Sequence, residues 1–227
     1  MRRRTGGGLF FLYLNALISI IIHRGKGEYM KKYLQPTYDV NYKAESIQQK
    51  AAELFFPEMN EKEKIEAAYI FVRDEVSHSW DIQGKTVTRR ASKVLKYREG
   101  ICWSKSHLLA ALLRSEGIPC GFCYQRLTLF NKPADGYCIH ALNAVYLADG
   151  DKWVRLDARG NKPGIDAQFF TDKEQLAFSV EETKDERDYP GIYADPPAEL
   201  LDVLERHEDP VYMYRYALPE SLSVKMN

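Results

Sequence analysis

The chain has 227 residues, 45% of them apolar, which is enough for one large domain with its own core. Its 32 Lys and Arg balance its 32 Asp and Glu, but residues 1–29 carry five basic residues against one acidic residue. The rest of the chain is therefore mildly acidic and lacks the clustered basic residues of a nucleic-acid surface, which excludes nucleic acid as an expected partner.

The N-terminal segment allows three interpretations. Three arginines precede an apolar run at 9–22, which resembles the start of a signal peptide but is short for a membrane span. No small-residue cleavage site follows, and residues 24–28 could be encoded by purine-rich codons typical of a bacterial ribosome-binding site ahead of Met30. We therefore expect residues 1–29 to be an upstream extension, and residues 30–227 to form a single domain of a cytoplasmic bacterial protein without stable membrane association. A genuine signal-like segment would instead predict a secreted or membrane-anchored protein.

Helical patterns dominate the first half of the domain. Residues 44–56 predict one helix, and Asn60 followed by Glu63 is a capping box that begins the next. Residues 77–90 are expected to form a loop, and residues 91–98 a short helix. A longer helix is predicted at 102–115, where leucines give a buried face and Gly117 and Pro119 end it.

Strand patterns follow at 121–130, 139–147 and 152–156, with turn residues between them. Helices first and antiparallel strands second predict an α+β fold. After the sheet, the acidic stretch 181–188 is expected to be a solvated loop and residues 197–207 a surface helix.

Three successive elements carry a thiol, an imidazole and a carboxylate. Cys102 lies where the long helix begins, His140 lies in a strand, and Asp157 ends the next strand. A helix N-terminus favours a thiolate and can hold an oxyanion, because its first N–H groups have no partner within the helix. The imidazole would move the proton and the carboxylate would orient the ring, so these residues are the predicted catalytic group.

Four segments containing these residues together resemble the transglutaminase-like superfamily. They are Gly-Ile-Cys-Trp at 100–103, Glu-Gly-Ile-Pro at 116–119, His-Ala at 140–141 and Trp-Val-Arg-Leu-Asp-Ala at 153–158. The resemblance implies a papain-like core, a Cys102–His140–Asp157 triad, and acyl transfer through a thioester with a protein or peptide as substrate. Relatives often carry a second oxyanion donor before the cysteine, for which Trp80 and Gln83 are the candidates here.

The chain also departs from this superfamily. Cys120 and Gly121 stand where relatives often have Ala-Arg, and Leu142 stands where relatives often have Trp. Because these differences reshape the substrate cleft, the resemblance does not transfer a specificity. No calcium-loop or phosphate-loop motif is present in the sequence, and we expect neither a metal nor another cofactor.

The expected activity is on amide bonds of a peptide or of a glutamine side chain, with hydrolysis favoured over transfer to an amine. One alternative is a non-catalytic protein- or peptide-binding module that keeps the fold. Another is a redox protein using Cys120 and Cys123, although residues three apart on a strand face opposite sides.

Four cysteines in a chain this long favour free thiols over a disulfide scaffold. The sequence leaves the oligomeric state open.

Overall fold

The computed structural model describes residues 27–223, so most of the predicted N-terminal extension lies outside the described residues. The helices are α1 (Glu45–Leu54), α2 (Glu61–Glu75), α3 (Ala91–Tyr97), α4 (Cys102–Ser115), α5 (Ala198–Arg206) and α6 (Pro210–Tyr216). The strands are β1 (Ser77–His78), β2 (Glu99–Gly100), β3 (Cys120–Thr128), β4 (Tyr137–Leu147), β5 (Lys152–Leu156) and β6 (Arg187–Asp188).

The main sheet is antiparallel and has the strand order β5-β4-β3-β6. Helix α4 packs against β4 and β3, and α1, α2 and α3 in turn pack against α4. This arrangement confirms the predicted α+β fold with helices on an antiparallel sheet. Within residues 27–223, no helix combines the length and the apolar content needed to cross a bilayer.

Helix α4 is the centre of the core. Every residue from Cys102 to Arg114 is buried, including the four leucines at 108, 109, 112 and 113, which have no exposed surface. Gly117 ends the helix with a φ of +73°, a conformation that glycine adopts without strain. A helix enclosed on all sides has little freedom to shift, so its first residue is held in a fixed position.

Helix α2 starts as the sequence predicts. The Asn60 side chain accepts a hydrogen bond from the Glu63 amide, and the Glu63 carboxylate accepts one from the Asn60 amide. This helix has a buried stripe at helical spacing, Ile65, Ala68, Tyr69 and Val72, and Val76 directly after it is buried as well.

Three sequence expectations were incomplete. The predicted loop 77–90 begins with β1, which pairs in parallel with β2, a strand too short to leave a periodic pattern. The predicted solvated loop 181–188 instead ends in β6 at the sheet edge, and Glu186 within it is buried against Thr128. The seven-residue helix α6 was not predicted.

The leucine face of α4 should dominate stability. Leu112→Ala removes a side chain with no exposed surface and should lower the free energy of unfolding by about 2–5 kcal/mol, because it leaves a cavity in the core. Ile70→Ala on α2, where the side chain is 43% exposed, should change it by no more than about 0.5 kcal/mol. Urea unfolding followed by circular dichroism measures both, and equal effects would contradict the central role of α4.

Candidate active site

Cys102 is the first residue of α4, directly after β2 and one connecting residue. The pairing of β1 with β2 places His78 opposite Gly100, and the Ser79 amide donates to the Gly100 carbonyl at 3.1 Å. A Cβ at position 100 would lie 2.4 Å from the Ser104 Oγ, so only glycine lets the chain pass this close to the helix. Gly100 and the pairing of β1 with β2 therefore fix the path of the backbone that leads to Cys102.

The start of α4 is open to an anion. Ile101 is the N-cap residue and has no side-chain acceptor, so it does not cap the N–H groups of the first turn. The Trp103 indole Nε1 donates to the Ile139 carbonyl at 2.7 Å, which ties the first turn to β4 beside His140. The N–H groups of the first turn of α4 and the His140 imidazole are thus both held in fixed positions relative to Cys102.

His140 and Asp157 form a buried pair. The His140 Nε2 and the Asp157 Oδ2 are 2.7 Å apart, and the two side chains are 4% and 0% exposed. Two backbone amides also donate to the carboxylate, Arg159 N to Oδ1 and Ala177 N to Oδ2, each at 3.1 Å. The Phe178 ring meets the imidazole edge-on with centroids 5.0 Å apart, so the ring is held from two sides.

These contacts change the protonation of the pair. Burial by itself lowers the pKa of His140, but the charge of Asp157, which also accepts a hydrogen bond from the ring, and the nearby Cys102 outweigh it and raise the pKa to about 10. Burial raises the pKa of Asp157, but the imidazole and the two amides outweigh it and hold this pKa below its ordinary value. The ring is therefore an imidazolium at neutral pH, and Cys102, on the same cleft, is one of the groups that favour this charge.

The turn after Asp157 makes two kinds of contact. The Arg159 backbone N–H binds the carboxylate of Asp157, while the Arg159 side chain borders the cleft described below. The Arg159 guanidinium makes a two-pronged ion pair with Asp81 at 2.5 and 3.0 Å, and the Lys162 Nζ binds the same carboxylate at 2.5 Å. The turn thus positions Asp157 and also forms part of the wall.

Lys105 is a further buried cation near the site that the sequence did not single out. It lies on the first turn of α4, is 1% exposed, and donates to the carbonyls of Val76 and Arg73 at the end of α2. Burial lowers the pKa of Lys105 to about 7. Its contacts join the nucleophile helix to the chain that leads into β1.

Cys102 and His140 border a cleft of about 560 Å³. The Cys102 residue is 6% exposed, so a narrow part of it reaches the cleft wall. Among the residues described, those that line the cleft also include His78, Trp80, Phe130, Cys138, Phe178 and Tyr214. A substrate carbonyl entering this cleft would meet the sulfur, the imidazole and the start of α4 together.

The two candidates for a second oxyanion donor, Trp80 and Gln83, differ in their position relative to the cleft. Trp80 borders the cleft, whereas Gln83 is exposed, is not among the lining residues, and donates its side-chain amide to the Trp80 carbonyl at 2.5 Å. His78 also borders the cleft. It is 4% exposed, its Nδ1 has no partner among the described residues, and its ring meets the Tyr214 ring edge-on.

The other three cysteines lie in different surroundings. Cys120 and Cys123 belong to two separate apolar clusters of the sheet, as expected for residues facing opposite sides. Cys138 lines the cleft on the same strand as His140. Burial raises the pKa of each of these thiols to about 12. Within residues 27–223, no group of three or more His, Cys, Asp or Glu side chains could hold a metal ion.

Comparison with known proteins gives one family match. Residues 48–158 match the model of the transglutaminase-like superfamily, and this segment contains Cys102, His140 and Asp157. No curated protein matches the chain. Among solved structures, the chain is similar to a candidate cysteine protease from Cytophaga hutchinsonii, with 23% sequence identity and a TM-score of 0.42. This similarity covers 56% of the present chain and 40% of that chain, so the chain spans less than half of that protein.

The charge of the His140–Asp157 pair can be tested by titration. In the wild type, the His140 resonances in side-chain NMR spectra should titrate near pH 10. Asp157→Asn should lower this pKa by several units, because it removes the largest contribution that raises it, and Cys102→Ser should lower it by less. His140→Gln assigns the signal. A wild-type midpoint near 6.5 would contradict the ion pair.

Proposed function

Because residues 48–158 match the model of the transglutaminase-like superfamily, we propose that this chain is a thiol-dependent enzyme acting on amide bonds through a thioester at Cys102. The observation that carries the proposal is the buried His140–Asp157 pair beside Cys102 at the wall of a cleft. Nucleophile, base and orienting group are the three parts that such a reaction requires together.

The first half of the proposed reaction forms the thioester. The Cys102 thiolate attacks the amide carbonyl carbon, so that a C–S bond forms and the carbonyl oxygen becomes an oxyanion. The N–H groups at the start of α4 would stabilise that oxyanion. When the intermediate collapses, the C–N bond breaks and the His140 imidazolium gives its proton to the leaving amine.

The second half releases the acyl group. Neutral His140 takes a proton from a water molecule as the water oxygen attacks the thioester carbon. The C–S bond then breaks, the product leaves as an acid, and Cys102 returns as a thiolate beside the imidazolium. Asp157 keeps its hydrogen bond to Nε2 throughout, so the other ring nitrogen stays directed at the reacting atoms.

We favour water over an amine as the acceptor. A lysine ammonium would need a carboxylate in the cleft, and the two described carboxylates that line it are engaged. Glu181 pairs with Lys184 at 2.7 Å, and Glu186 accepts hydrogen bonds from Thr128 and from the Glu181 amide. Water needs no such partner.

Thiol reactivity separates the enzyme from a binding module on the same fold. At pH 7, iodoacetamide should label Cys102 at least about a hundredfold faster than the other three cysteines, because only about 1 in 10⁵ molecules of a thiol with a pKa near 12 is ionised. Cys138 is the matched control, since it lines the same cleft. Labelled peptides are counted by mass spectrometry.

His140→Asn should slow the labelling of Cys102 by tenfold or more while leaving the slow labelling of Cys138 unchanged. If Cys102 reacts no faster than Cys138 in the wild type, the chain is a binding module and the enzyme proposal is wrong.

The acceptor preference predicts the product. With a peptide amide or a glutamine donor, the wild type should yield mainly the free acid even when hydroxylamine is present at millimolar concentration, and Cys102→Ala should yield nothing. Mass spectrometry distinguishes acid from hydroxamate. If hydroxamate is the main product, the proposed preference for hydrolysis is wrong, whereas the proposed thioester at Cys102 stands.

A further inference from the structure

One wall of the cleft is an aromatic cluster formed by Trp80, Phe130 and Tyr214. The rings of Trp80 and Tyr214 are stacked, with centroids 4.9 Å apart and an angle of 19° between planes. The Phe130 ring lies 5.2 Å from Trp80 and 6.4 Å from Tyr214. These residues come from three distant parts of the chain and line the same cleft as Cys102.

The backbone at Phe130 has a strained conformation. Its φ is +51°, and that of Asn131 is +62°, a left-handed conformation that residues with a Cβ rarely adopt. The connection between β3 and β4 is nevertheless closed by hydrogen bonds from Leu129 N to Gly136 O and from Lys132 N to Leu129 O. This strained turn leaves Phe130 44% exposed at the cleft instead of burying it. An exposed ring held by strain has no evident role in stability.

The charged residues of the cleft wall are already paired. Arg159 and Lys162 both bind Asp81, Glu181 binds Lys184, and Glu186 accepts hydrogen bonds from Thr128. A charged substrate side chain would lose its water and would have to compete with these existing pairs for a partner, which costs free energy. The aromatic cluster, by contrast, offers apolar surface in the same cleft as the sulfur.

We propose that the aromatic cluster is a substrate subsite that selects acyl donors with a large uncharged side chain, an aromatic one above all, next to the reacting amide. This inference rests on the proposed function and names its substrate class. Rings pack well against ring faces and edges, and their burial releases water from Phe130. Discrimination between a large and a small side chain in such a pocket is at least about tenfold.

The first test is a series of peptide amides that differ only in the residue next to the reacting bond. The value of kcat/KM should fall in the order Phe, Leu, Ala, and should be lowest for Glu and Lys. Phe130→Ala should reduce the ratio of Phe to Ala at least about fivefold. Tyr97→Ala is the matched control, because Tyr97 on α3 is also 44% exposed but does not line the cleft. It should leave the ratio unchanged.

Phe130→Gly separates selectivity from folding. Glycine adopts the left-handed conformation without strain, so this variant should melt no lower than the wild type and should still lose the preference for Phe. A preference for Glu or Lys donors, or a Phe to Ala ratio that both Phe130 variants preserve, would overturn the subsite.

Measuring ligand binding to the Cys102→Ala variant tests the subsite separately from the proposed reaction. N-acetyl-phenylalanine amide should bind about tenfold more tightly than N-acetyl-alanine amide, as measured by NMR titration, and Phe130→Gly in the same protein should abolish the difference. Equal binding of the two amides would overturn the subsite. If the difference in binding is found but no donor is turned over by the wild type, the subsite stands and the proposed function fails.

Discussion

The buried pair of His140 and Asp157 is the constraint on which the rest of the site depends. Two groups that are almost fully enclosed can carry charge only when their partners are held in place, because an unpaired buried charge is costly. Here the carboxylate is held by the imidazole and by two amides, one at Arg159 just after β5 and one eighteen residues further on at Ala177. Satisfying this one carboxylate therefore fixes both the turn at Arg159 and the return of the chain over the cleft.

Helix α4 is the centre of the hydrophobic core and also orients the residues of the site. Its polar residues are buried with the leucines, and they bind backbone carbonyls of neighbouring elements. Lys105 binds the end of α2, and the Arg114 guanidinium binds the carbonyls of Cys120, Gln35 and Ala194. These contacts supply partners for carbonyls that would otherwise be buried without one. They also orient the helix, so the first turn faces β4 at a fixed distance.

The cleft has two walls of different chemistry. On one side, Arg159 and Lys162 are neutralised in part by Asp81, whose pKa they lower to about 2 against the effect of burial. On the other side, Trp80, Phe130 and Tyr214 form an apolar surface. Tyr214 belongs to α6, so a helix at the end of the described chain contributes to a site whose nucleophile lies near its middle.

The sequence by itself determined the elements that have a periodic or capping signal: the leucine face of α4, the capping box of α2, the three long strands, and the order of Cys102, His140 and Asp157. It could not reveal β1, β2 and β6, because two residues are too few to show a period. The start signal of α6, Asp209 capping the helix with Pro210 at its first position, was present, but seven residues gave no pattern to confirm it. Only the tertiary structure decided which amides bind Asp157, that Arg159 both binds Asp157 and borders the cleft, and which rings border the cleft. Those contacts join residues far apart in the chain, and their geometry depends on how helix and sheet pack together.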